Sequence, residues 1–94
     1  MAFARGVTFD GVSSERAAQM REEMSRAEPP EGLPATELVL LHDAAAETSL
    51  VLIFFDTEGD YATGDEILNA MPAGDTPGNR TSVTKYEVVA RRSV

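Results

Sequence analysis

The 94-residue chain predicts one α+β domain of order βαββαβ, and three observations carry that prediction. Two apolar runs, Leu38-Val39-Leu40-Leu41 and Leu50-Val51-Leu52-Ile53-Phe54-Phe55, flank the polar stretch His42 to Ser49 and read as a hairpin. Two stretches with helical spacing, each stopped by proline, lie on either side of it. A strand-like segment stands at each end of the chain. The hairpin strands are apolar at successive positions, whereas a strand with one wet face alternates, so they need cover on both sides. Two helices supply one cover. A chain this short has no third layer, so the second cover is expected from another copy of itself.

The first strand is expected over Ala2 to Phe9, with Phe3, Arg5, Val7 and Phe9 on one face and Ala2, Ala4, Gly6 and Thr8 on the other. The small face is expected to receive a helix. Ser13 or Ser14 can cap a helix running to about Ala27, with Glu15 in the dipole-favoured first turn. Its apolar stripe is Ala17, Met20, Met24 and Ala27, one helix face. Pro29-Pro30 stops it.

The hairpin strands follow at Thr36 to His42 and Thr48 to Asp56. A second helix is expected between Asp60 and Met71, stopped by Pro72, with Tyr61, Gly64, Ile67, Leu68 and Met71 along one side. Gly64 weakens it by about 1 kcal/mol relative to alanine. A turn-rich loop, Pro72 to Arg80, leads to a last strand, Ser82 to Arg91. The order is that of a ferredoxin-like domain over residues 1–94: a four-stranded antiparallel sheet with both helices on one face. Its other face is apolar, and closing it against a two-fold partner gives a barrel between two sheets.

With 43% apolar residues the chain is not disordered, and no apolar run approaches the roughly 20 residues that span a bilayer. No secretory leader is visible in Met1 to Val12, so a cytoplasmic location is expected. Cysteine is absent, which removes disulfides, thiolate nucleophiles and cysteine-held metals. Sixteen acidic against eight basic residues give a net charge of −8, which repels phosphate backbones and anionic lipid; neither nucleic acid nor membrane is an expected partner.

The order βαββαβ, the doubly apolar strand ending Phe54-Phe55-Asp56, and the closing Ser82-Val83-Thr84-Lys85-Tyr86-Glu87-Val88 after a Pro-Gly loop resemble the dimeric α+β barrel superfamily. Within it the chain is similar to the antibiotic-biosynthesis-monooxygenase-like proteins. The resemblance implies a homodimer with a small apolar pocket in each subunit between sheet and helices. It also implies a choice of activities, among them cofactor-independent oxygenation of aromatic compounds, haem degradation and isomerisation. The haem-degrading branch uses an asparagine, a tryptophan and a histidine ligand. This chain has no tryptophan and one histidine, at a strand end, so haem degradation is not expected.

His42 and Tyr86 are the candidate catalytic groups: an imidazole ordinarily titrates near 6.5 and can act as a base, and a phenol can donate a proton. The alternatives are a solvated hairpin histidine and a core tyrosine with its hydroxyl at an edge. Arg5, Met20, Met24, Phe54, Tyr61 and Met71 are candidate pocket-lining residues, and all but Arg5 read equally well as core. Arg5 shares a strand face with three apolar side chains and needs a partner, for which Glu87 on the neighbouring last strand is expected. The carboxylates have no metal-ligand spacing, so neither a metal nor another cofactor is expected. Three functions are compatible with these residues: a cofactor-independent monooxygenase-like enzyme acting on an aromatic or polyketide-like compound, a non-catalytic ligand-binding module, and a structural homodimer.

Overall fold

A computed structural model describes residues 2–26, 31–70 and 79–93. The elements are β1 (Phe3–Asp10), α1 (Ser14–Arg26), β2 (Ala35–Asp43), β3 (Thr48–Phe55), α2 (Glu58–Asn69) and β4 (Asn79–Glu87). The sheet order is β2-β3-β1-β4 with every neighbouring pair antiparallel, the ferredoxin-like topology expected. Ala27, Met71 and the expected loop from Pro72 to Gly78 lie outside the described residues.

The caps fix where the helices begin. The Ser13 hydroxyl accepts from the Arg16 N–H at 3.1 Å, so α1 starts at Ser14. Thr57 does the same for α2, its Oγ1 accepting from the Asp60 N–H at 3.0 Å, which starts that helix two residues before Asp60. At the far end, β4 stops at Glu87, short of the expected Arg91. The Val88 N–H bonds the Ala2 carbonyl at 2.9 Å, and the guanidinium of Arg91 then lies over the Phe54 ring and pairs with Glu37.

The faces of β1 are used the other way round from the expectation. Phe3, Arg5, Val7 and Phe9 carry the helices, and Ala4, Gly6 and Thr8 point to the opposite face. Sheet and helix layers sit about 10 Å apart, a gap that large side chains fill and Gly, Ala and Thr do not. Val7, Phe9 and Val12 form one core with Met20 of α1, flanked by Ala17, Leu40 and Val51. Ile53, Phe55 and Tyr61 form the other, with Phe3, Leu33, Ala35 and Leu68. Tyr61 meets both phenylalanine rings edge-on, with centroids 5.6 Å from Phe55 and 6.5 Å from Phe3.

On the opposite face, the register sets Ala4, Gly6 and Thr8 beside Leu50, Leu52 and Phe54 of β3, which adjoin Val39 and Leu41 of β2. Tyr86 of β4 leans over Gly6, its Cε2 2.6 Å from where a β-carbon would stand. The hairpin is therefore apolar on both faces, as its sequence requires. Among the described residues, no helix covers this second face, and Leu41 and Tyr86 are each 48% exposed on it.

Gly64 has a reason to be glycine that helix propensity hides. It is buried in α2 where the helix comes closest to β3, and a β-carbon there would collide with the ring of Phe55, which is fully buried. Gly64→Ala gains about 1 kcal/mol of helix propensity, but the overpacking of an immobile ring costs about 1–3 kcal/mol. A net loss of stability is expected in urea denaturation; an increase would mean that Phe55 can swing aside.

Candidate functional site

Among the described residues, polar side chains enter the helix-facing layer at two places. The first is Arg5, whose side chain is 5% exposed. Its Nε donates to Asp65 Oδ1 at 2.8 Å and its Nη2 to Asn69 Oδ1 at 3.0 Å, while Asn69 Nδ2 donates to Asp65 Oδ2 at 3.3 Å. The expected Arg5–Glu87 pair does not form. The register puts Glu87 opposite Phe3 and Lys85 opposite Arg5, so β4 offers the guanidinium a like charge. Lys85 turns instead to Glu58 at 3.6 Å and lies 5.0 Å over the Phe3 ring and 5.3 Å over that of Tyr61.

Tyr61 sits beside this group. Burial raises its phenol above the ordinary 10.0, the Asp65 carboxylate raises it further, and Arg5 offsets part of the rise. The folded state thus holds this proton to higher pH than the unfolded chain. The associated stability is fully present below pH 10 and is lost as pH rises through the higher folded value. Denaturant midpoints measured from pH 8 upward are expected to fall beyond about pH 10 in the wild type, and less steeply in Tyr61→Phe.

The second place is the end of the hairpin. His42 and Ser49 are register partners, and His42 Nδ1 lies 2.8 Å from the Ser49 hydroxyl, with Ser49 only 2% exposed. His42 Nε2 is closed off from solvent and has no partner among the described residues. The imidazole borders a groove of about 440 Å³ between α1 and β2, lined also by Ala17, Ala18, Arg21, Met24 and Leu40. Ser49 fixes the ring, with Nε2 buried behind the border of the groove.

The candidates are therefore dispersed. Arg5 and Tyr61 are together near α2, and Met24 joins His42 in the groove. Met20 belongs to the packed core. Phe54 is not between sheet and helices: strand alternation turns it to the opposite face, under Arg91. Tyr86 is on that face too, so it and His42 lie on opposite sides of the sheet and cannot meet one ligand within a subunit. Met71 is outside the described residues. Sequence reading missed Ser49, Asp65, Asn69 and Arg21. Ser49 was signalled by its parity with Val51, Ile53 and Phe55, and Asp65 and Asn69 by their i, i+4 spacing from Tyr61.

Among the described residues, no three His, Asp or Glu side chains converge as a metal site would require. No family model and no curated protein matches the chain. A solved structure does: a point mutant of MhuD, crystallised with two manganese protoporphyrin IX molecules bound per active site. It matches over 100% of both chains with a TM-score of 0.63 and 11% sequence identity. The two chains share the ferredoxin-like βαββαβ fold expected from the sequence, and at that identity the likeness extends to the fold alone. The residues here do not fit a porphyrin. An axial imidazole must offer a free nitrogen to an open slot, whereas the only histidine has Nδ1 on Ser49 and Nε2 shut away from solvent.

Proposed function

We propose that the protein is a homodimeric small-molecule-binding barrel that holds an apolar or aromatic ligand in the α1–β2 groove against His42. The observation that carries this reading is the groove itself, about 440 Å³ between α1 and β2 with His42 on its border. The apolar walls, Ala17, Met24 and Leu40, suit a hydrocarbon or aromatic body. The apolar sheet face supports the second copy.

In its catalytic form the reading is that of a cofactor-independent monooxygenase-like enzyme. That form requires the His42 ring to turn from its buried position and expose Nε2 to the groove; its lone pair then takes a proton from a phenol or an acidic carbon, and the resulting anion is the electron donor to dioxygen. The non-catalytic form uses the same contacts to carry the ligand. A structural dimer without ligand is the competing reading, and the engagement of Arg5 by Asp65 and Asn69 favours it, since that buried charge braces a helix.

Native mass spectrometry of undenatured protein, with ¹⁵N-histidine spectra of His42, separates these. A dimer that retains or takes up an aromatic compound, with a shifted Nε2 signal, is expected. His42→Ala should abolish that uptake, and any turnover, with the melting temperature nearly unchanged. A dimer whose histidine signal responds to no compound would be a structural protein, and a monomer would remove the dimer from the reading.

A further inference from the structure

The charges around the groove narrow the ligand class. On α1, Arg16 pairs with Glu23 at 3.2 Å and Arg26 with Glu22 at 3.3 Å, so two of its three arginines are engaged by its own acids. Arg21 is the third. Among the described residues it makes no ion pair, and its side chain borders the same groove as His42. The groove is thus apolar along Ala17, Met24 and Leu40, with an unengaged cation at its border.

Resting on the groove as the binding site, we infer that its ligand is a small amphipathic anion, an aromatic or aliphatic body carrying one carboxylate or phenolate. The body packs on Met24, Leu40 and Ala17. The anionic oxygen pairs with the Arg21 guanidinium, whose planar fork of donors matches a carboxylate. The net charge of −8 opposes anions at long range, but that field is screened beyond about 8–10 Å at physiological salt, so contact with Arg21 decides.

The test compares 2-naphthoate with 2-naphthalenemethanol, which share one apolar body and differ in charge, by isothermal titration of the wild-type protein and of Arg21→Gln. The acid is expected to bind about five-fold more tightly than the alcohol, the upper end of what an exposed ion pair supplies, and Arg21→Gln should erase that difference. Ala18→Trp, which fills the groove from an exposed position, should abolish both. Equal affinities in the wild type, or a preference that survives Arg21→Gln, overturn the anion while leaving the groove. Binding of neither compound, or binding indifferent to Ala18→Trp, overturns the groove itself and the anion with it.

Discussion

Leu52→Asp is expected to convert a dimer into a folded monomer. Leu52 is central to β3 on the face opposite the helices, between Gly6 of β1 and Val39 of β2 in register. It is half-buried, its Cδ2 lies 3.4 Å from the β-carbon position of Gly6, and among the described residues no helix covers its face. In the single chain an aspartate there stays hydrated and costs little. In a face-to-face pair it would be desolvated twice, once from each subunit, at a cost of several kcal/mol per charge. Size-exclusion chromatography with light scattering should report half the wild-type mass, and circular dichroism an unchanged spectrum. Leu41→Asp, nearer the rim and 48% exposed, should weaken the pair less. A Leu52→Asp protein that remained dimeric would move the interface to another surface.

The apolar second face is legible in the sequence because it rests on period alone. Leu38 and Leu40 cannot share a face with Val39 and Leu41, so both faces of the hairpin had to be apolar, and they are. Period says nothing about which face a helix will choose. In β1 the large set includes an arginine and the small set a glycine, which made the small set look like the close-packed side. The depth of the layer decided otherwise.

The polar partners were harder to read for a related reason. The sequence shows Arg5 as a buried charge in need of a partner, but the choice between Glu87 and Asp65 depends on strand register. A two-residue offset exchanges Glu87 for Lys85 beside it. The cap at Thr57 and the contact of Gly64 with Phe55 likewise depend on where α2 meets β3, a distance that sequence spacing does not encode. The His42–Ser49 pair is different: hairpin pairing across the Asp43–Glu47 turn places the two opposite each other, and the alternation of β3 shows that Ser49 faces inward.

The Arg5 group makes the other large prediction, and its sign discriminates between the two partners. Arg5 is 5% exposed whereas Asp65 is 35% exposed, so the pair is asymmetric: one charge depends on the other for its solvation, and the reverse holds only in part. Asp65→Ala leaves a buried guanidinium with Asn69 as its remaining described acceptor, at about 2–3 kcal/mol, a discount on the full cost of orphaning a buried ion because water can reach the vacated position. Arg5→Met removes the buried charge, keeps most of the apolar volume, and returns Asp65 to water, so about 1 kcal/mol or less is expected. Urea unfolding should therefore rank Asp65→Ala below Arg5→Met in stability, although the arginine is the larger and more buried residue. In the double variant the Asp65→Ala penalty should shrink to a few tenths of a kcal/mol, because nothing buried is left to pair. The opposite ranking would mean that Arg5 acts through packing of its alkyl stem against Phe3 and Val7, and that the charge pair is incidental to holding α2 on the sheet.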